Sequence, residues 1–340
     1  MRFIPKQAFF EPQALEYPLG QSIYDRLTAM AVPVAFTSSH NRVPAAGSSS
    51  QQQAFRDAKQ TLVVGVRRSP QFAACKPSAH YQLPLATSCP GMCEYCYLAT
   101  SLGKRPYVRV YVNTGRIFEQ TAAYIAERAP AVTTFEGAAV SDPVPTEYLT
   151  GLLRQAIEFF ADQELGRFRF VTKFTDIDSL LPLRHNGHTR FRFSLNAPAV
   201  ITKYEHLTPA AADRAAAAAK VAAAGYPLGF IVAPIIAFPG WQEEYERLFE
   251  TLHRQLAGSA CPDLTFEFIS HRFTKRAKNQ ILDLFARTDL PLDETERRFK
   301  YGQFGYGKYL YPQDLLAEIK EHMLSLAGRY FPAASVDYII

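Results

Sequence analysis

Cysteine, methionine and tryptophan are scarce in this chain, which holds five, four and one of them in 340 residues. So few cysteines exclude a small disulfide-stapled scaffold and suit a reducing compartment, the cytoplasm. The opening "MRFIPKQAFFEPQALEY" lacks the charged start, apolar run and small-residue cleavage site of a secretory leader. An unbroken apolar run is missing too. Residues 221–241 carry no charge and have the length of a membrane span, but Gly225, Pro227, Pro234, Pro239 and Gly240 break them into a helix end and a strand, so no span is expected. Neither sign of charge dominates: 37 Lys and Arg face 32 Asp and Glu, a net charge of +5. A nucleic-acid role therefore has to be located in particular segments rather than read from the total.

What is present begins with a core. With 48% hydrophobic residues the chain can bury a large interior, enough for one elaborated barrel or two ordinary domains. Three of the five cysteines, Cys89, Cys93 and Cys96, crowd into "SCPGMCEYCYLA" (88–99), with gaps of three and two residues. A structural zinc site closes a tetrahedron with four side chains, so this trio would need Cys75, Cys261 or one of eight histidines to complete it. An iron-sulfur cube held by three thiolates instead keeps one iron open to a ligand. On spacing alone both remain open.

Along the middle of the chain strand-like runs alternate with helix-like runs. "YVRVYVN" (107–113) precedes "RIFEQTAAYIAERA", "TTFEGAAV" (133–140) precedes "PTEYLTGLLRQAIEFFADQ", and "RFRFVTKF" (167–174) precedes "DIDSLLPL". "RFRFSLN" (190–196) leads to an alanine-rich helix expected to start at Thr208-Pro209, "LGFIVAPIIAF" (228–238) to "QEEYERLFETLHRQLA", and "LTFEFISH" (264–271) to "KRAKNQILDLFA". With a further strand at "HYQLPLA" before the cysteines, the pattern predicts an α/β fold with a parallel sheet curling into a partial barrel, its chemistry at the C-terminal strand ends. We expect a 1–80 N-terminal extension with no chemistry of its own and a mobile polar loop near 45–54, a barrel over 81–290, and a hairpin and helix over 291–340.

These residues carry a resemblance. A C-x3-C-x2-C loop after the first strand of such a barrel resembles the radical S-adenosylmethionine superfamily, and "SCPGMCEYCYLA", "FEGAAVSD", "FVTKF", "FRFSLN" and "KYGQFGYGKY" together resemble its spore photoproduct lyase family from about residue 60 onward. The resemblance implies a partial (βα)6-type barrel in which Cys89, Cys93 and Cys96 hold a 4Fe-4S cluster. S-adenosyl-L-methionine would occupy the open iron, with its polar groups near Ser141, Lys173 and Ser194 and a backbone contact at Ala233. Tyr95 and Tyr97 would serve the cofactor pocket and a hydrogen or electron relay. The implied activity is a carbon-carbon lyase that returns a methylene-bridged thymine dimer in DNA to two thymines through a 5′-deoxyadenosyl radical, because no side chain makes a radical unaided. Implied surroundings are a monomer in the cytoplasm of a spore, photoproduct-containing DNA, and a flavodoxin or ferredoxin as reductant.

One position departs from the family pattern. Ala139 stands where the family has the cysteine that returns hydrogen to the product, and a methyl group cannot replace a thiol in that role. We expect a variant engineered to be disabled so as to trap a complex, with Tyr97 as substitute donor the alternative, and Cys75 and Cys261 as packing residues. Two cationic segments complete the reading. "HRFTKRAK" (271–278) offers Lys275, Arg276 and Lys278, and "RRFKYGQFGYGKYLY" (297–311) offers Arg298, Lys300 and Lys308 for phosphates with Tyr301, Tyr306 and Tyr309 as wedge or stacking rings. Competing classes are a radical enzyme acting on RNA or protein, which would share the loop and barrel, and a non-catalytic nucleic-acid-binding protein with a structural cluster or zinc.

Overall fold

The computed structural model describes residues 1–44, 50–261, 263–301 and 307–340. The chain forms two compact units, the first Met1–Pro90 with Leu102–Arg190, the second Gly91–Ser101 with Phe191–Ile340. They cut across the boundaries expected at residues 80 and 290.

In the first unit the strand Gln7–Phe10 lies parallel between Val34–Phe36 and Thr61–Gly65, and Thr61–Gly65 pairs in parallel with Val108–Tyr111. Every residue of Thr61–Gly65 is buried, as expected of a parallel strand covered on both faces. The expected extension thus contains a sheet of its own, and Val108–Tyr111, read as a strand of the barrel repeat, belongs to it. Alternating burial announces a strand but not its partner. Ala86–Thr87 pairs antiparallel with Val108–Tyr111 and delivers the chain to the cysteine loop. A second set of strands begins with Ala79–Gln82, which is antiparallel to Ala74–Cys75 and parallel to Thr133–Glu136, itself parallel to Gly166–Thr172. Gly166–Thr172 alternates buried and half-buried residues, the pattern its sequence predicts.

Two local expectations fail in this unit. Residues 45–49 lie outside the described residues, but 51–54 are the first turn of the helix Gln51–Lys59, because the Ser50 hydroxyl accepts from the Gln53 amide at 3.1 Å and caps it. "DIDSLLPL" forms successive turns, closed by Leu180 N to Ile177 O at 2.9 Å and Leu183 N to Leu180 O at 3.3 Å, and Pro182 denies a helix there its donor.

The second unit is built on parallel pairs. Thr189–Leu195, five of whose residues fall here, pairs with Leu228–Ile235, that strand with Thr265–Ser270, and that in turn with Ser335–Ile339. The last strand was not anticipated. Its helices are Leu98–Ser101, Pro198–Tyr204, Ala211–Ala223, Trp241–Leu256, Lys275–Leu284 and Gln313–Tyr330. Thr208 does not cap the alanine-rich helix, whose N-cap is Ala210; its hydroxyl donates to Glu205 O at 2.9 Å and accepts from Arg214. Among the described residues no helix is long and apolar enough to cross a membrane.

Candidate active site

Within the first unit, Ser141 and Lys173 sit at the same ends of two neighbouring parallel strands, just past Thr133–Glu136 and Gly166–Thr172. Gly137 begins the turn between Glu136 and Ser141 because a Cβ there would lie 2.7 Å from the Phe168 ring. Ser141 is buried and its hydroxyl donates to Gly137 O at 3.3 Å. Asp142, which the sequence reading passed over, ties the two strand ends together. It accepts from the Thr172 hydroxyl at 2.8 Å and from the backbone amides of Lys173 at 2.9 Å and Val144 at 3.3 Å. Burial pushes its carboxyl up to about 6 against these donors. Glu136 accepts from the Ala138 amide at 3.0 Å and the Ser78 hydroxyl at 3.2 Å, and stands 3.7 Å from Arg169.

The entry to the cysteine loop is fastened in the same unit. Ser88 adopts a left-handed conformation, φ +67°, with its amide on Val140 O at 2.7 Å and its hydroxyl on Pro106 O at 2.7 Å. Lys59, buried in a segment to which no chemistry was assigned, donates to Cys89 O at 2.7 Å. A lone lysine far from the loop gives no sequence signal of this.

In the second unit Met92–Cys93 pairs antiparallel with Glu205–His206, and the Cys96 amide turns back onto Cys93 O at 3.2 Å. All five cysteines are reduced thiols. Among the described residues no three or more His, Cys, Asp or Glu side chains are placed to hold a single metal ion. A four-iron cube asks for something else, one thiolate per iron, and a tight loop carrying three cysteines fits that donor set. Tyr95 and Tyr97 diverge in environment. The Tyr95 phenol donates to Glu205, and burial followed by the Glu205 charge holds it well above the ordinary tyrosine range. Tyr97 is 60% exposed. Glu205 is gripped in turn by the fully buried Arg214, at 2.6 Å, which also donates to Ser194 O and Pro209 O at 2.9 Å each. Glu94, beside Cys93, accepts from His206 at 2.7 Å. Ser194 and Ala233 again lie at equivalent ends of neighbouring parallel strands, where Ser194 pairs with Ile231 and Leu195 with Val232.

The basic aromatic segment is the hairpin expected. Arg298–Tyr301 pairs antiparallel with Gly307–Leu310, and the register sets Lys300 opposite Lys308 and Phe299 opposite Tyr309. Arg298, Lys300 and Lys308 share one face, Phe299, Tyr301 and Tyr309 the other. Like charges directly opposite destabilise a strand pair and are relieved by an anion. Burial lowers the Lys308 pKa, with Arg272 adding to the effect. Phe299 covers Gly307, where a Cβ would lie 2.1 Å from its ring. Tyr301 is 74% exposed, and Tyr306 lies outside the described residues. Lys275 opens the helix Lys275–Leu284 and is exposed, whereas Arg276 reaches Thr100 O at 3.3 Å and Lys278 pairs with Glu294 at 3.2 Å.

At the base of the hairpin Arg297 stacks 3.7 Å over Tyr311 and donates to His271 O at 3.0 Å, and burial beside Arg297 pushes His271 down to about 3. The unfolded imidazole takes up a proton near pH 6.5 and the folded one resists until about pH 3. Between those values the unfolded state binds more protons, so stability falls as pH falls, by about 1.4 kcal/mol per unit for this one group. Denaturant unfolding of His271→Gln beside the parent chain from pH 4 to 7 is expected to show a shallower dependence in the variant; parallel curves would contradict it.

Comparison with known proteins places this geometry. The chain matches the spore photoproduct lyase family over residues 3–340. It is 50% identical to a spore photoproduct lyase of Geobacillus sp. over 336 residues, 99% of this chain and 98% of that protein. A solved Cys-to-Ala, Ser-to-Cys double variant of spore photoproduct lyase with bound AdoMet and dinucleoside spore photoproduct aligns at a TM-score of 0.97 and 50% identity, and a Tyr-to-Phe variant at 0.97 and 49%, each over 100% of both chains. The match along the whole chain therefore defines a lyase built on the partial α/β barrel expected from the strand and helix alternation. The chain belongs to the spore photoproduct lyase family.

Proposed function

We propose that this chain cleaves the methylene bridge of the thymine photoproduct in DNA, a carbon-carbon lyase reaction, with Cys89, Cys93 and Cys96 holding a 4Fe-4S cluster. The observation that carries the reading is the three-cysteine loop in a chain that matches a lyase family along nearly its whole length. When bound, the cluster and S-adenosylmethionine supply a 5′-deoxyadenosyl radical. The chain's own residues position the reactants. Ser141 and Lys173 offer a hydroxyl and an ammonium, and Ser194 a hydroxyl, to the cofactor's ribose, carboxylate and amino groups, with Ala233 giving a backbone contact. Asp142 fixes the Lys173 backbone, and Arg214 and Glu205 fix Tyr95. Tyr95 and Tyr97 take the relay role, the first held and the second accessible.

The hairpin supplies DNA contact, with Arg298, Lys300, Lys308 and the exposed Lys275 on phosphates, Arg276 beside them, and Tyr301 and Tyr306 against the extruded lesion. A damaged base step is cheaper to unstack than an intact one. Affinity for duplex DNA falls with rising salt, and Lys300→Ala reduces the slope of log affinity against log salt by about 0.9. An unchanged slope would take Lys300 off the phosphates. The protein works as a cytoplasmic monomer in the spore core, reduced by a flavodoxin- or ferredoxin-like carrier.

Anaerobic incubation of the iron- and sulfide-reconstituted chain with reductant, S-adenosylmethionine and the dinucleoside photoproduct tests the reading. Loss of the lesion with formation of thymine products is expected. 5′-Deoxyadenosine with an untouched lesion would favour a radical enzyme of another substrate class.

A further inference from the structure

Lys59 is a cation in a place that rarely holds one. It closes the helix Gln51–Lys59, yet it is only 2% exposed, and a buried ammonium is costly unless an opposite charge meets it. Among the described residues no carboxylate pairs with it. Its contacts are the Cys89 carbonyl, which accepts from Nζ at 2.7 Å, and the Phe55 ring, whose centroid lies 5.6 Å from Nζ. A carbonyl, a ring face and the last carbonyls of its own helix supply partial negative charge. None of them supplies a full one.

The carbonyl that Lys59 holds belongs to the first of the three loop cysteines, and the fold fixes the peptide before it. Ser88, left-handed at φ +67°, has its amide on Val140 O and its hydroxyl on Pro106 O, at 2.7 Å each, and its own carbonyl accepts from the Asp142 amide at 3.3 Å. All these residues lie in the first unit. The direction of the Cys89 carbonyl is therefore set by the chain, and Lys59 meets it from a buried position. What the buried charge lacks, the donor set can supply. Three thiolates around a four-iron cube leave it with a net negative charge, more negative again once it takes up an electron.

We propose that Lys59 is a positioning residue for the cluster, holding Cys89 in place and, as a buried cation beside it, making reduction of the cluster easier. The role rests on the cluster assignment made above. Lys59 forms and breaks no bond in the step. The electron comes from the reductant, a flavodoxin- or ferredoxin-class carrier or dithionite, and the Lys59 charge favours the more negative state that results. Burial keeps water from screening that charge, so its effect exceeds that of a surface lysine at the same separation. Charge and hydrogen bonding around the ligands are the levers by which a protein sets such a potential.

Redox titration of the iron- and sulfide-reconstituted chain, without S-adenosylmethionine or lesion and followed by electron paramagnetic resonance, reads this role without turnover. The parent is compared with Lys59→Arg, Lys59→Gln and Lys59→Met. Arginine keeps the charge and a donor, glutamine keeps a donor alone, and methionine keeps only the apolar stem. At a fixed applied potential the ratio of reduced to oxidised cluster falls about tenfold in Lys59→Gln and Lys59→Met, a shift of about 59 mV to lower potential, while Lys59→Arg stays close to the parent. Should Lys59→Met lose its fold, Lys59→Gln and Lys59→Arg carry the same comparison, since both keep a donor for the Cys89 carbonyl. A parent-like potential in Lys59→Gln would reduce Lys59 to a hydrogen-bond donor and overturn the proposal. A parent chain that takes up no iron overturns the cluster assignment itself, and its iron content tells that failure apart from a failure of Lys59.

Discussion

Replacing Cys93 with alanine is expected to leave a folded protein that no longer consumes the lesion. The backbone of Met92–Cys93 pairs with Glu205–His206, and the Glu94 amide reaches Tyr204 O at 2.9 Å, so the loop keeps its hydrogen bonds when the thiol is removed. What disappears is one of the three thiolates proposed to hold the cluster. Without a secured cluster the radical source is lost and no side chain can substitute for it, so the loss is about 10³-fold or more. Iron content, 5′-deoxyadenosine and lesion consumption should fall together, while circular dichroism and the unfolding midpoint stay close to the parent. Lesion cleavage within tenfold of the parent would remove Cys93 from the ligand set.

A second large effect is expected at Arg214. Its guanidinium and the Glu205 carboxylate are both fully buried, at 2.6 Å, and it also satisfies Ser194 O, Pro209 O and the Thr208 hydroxyl. Arg214→Met strands the Glu205 charge in the interior, a change that costs about 3–5 kcal/mol. It also releases Tyr95, whose phenol rests on Glu205. Much of the lost stability should return in Arg214→Met with Glu205→Gln, because the uncompensated charge, rather than the missing contact, carries most of the penalty. Chemical denaturation of the singles and the double measures this; strictly additive losses would show that the two side chains do not act as a pair.

These effects fall on residues that differ in how legible they are in the sequence. The cysteine loop announces itself because three scarce residues share eight positions. Strand alternation in "RFRFVTKF" and "RFRFSLN" marks strands whose ends carry Lys173 and Ser194. Arg214 was hidden inside an alanine-rich helix, where an arginine reads as a solvated residue, and only the tertiary fold buries it. Asp142 lies inside a quoted motif, yet its bonds to Thr172 and the Lys173 amide join strands 30 residues apart, which local patterning cannot register. The sheet around Gln7–Phe10 was missed for the same reason. Its members come from separate stretches of chain, and Val108–Tyr111 gives the same alternation whichever sheet it enters.

The central claim is that this chain opens the thymine photoproduct by abstracting hydrogen from the lesion itself. The most direct measurement uses a dinucleoside photoproduct deuterated at C6 of the thymine, incubated anaerobically with the reconstituted chain, reductant and S-adenosylmethionine, with mass analysis of the 5′-deoxyadenosine formed. Deuterium in the 5′-deoxyadenosine together with loss of the lesion is the predicted result. Unlabelled 5′-deoxyadenosine beside an intact lesion would contradict the claim.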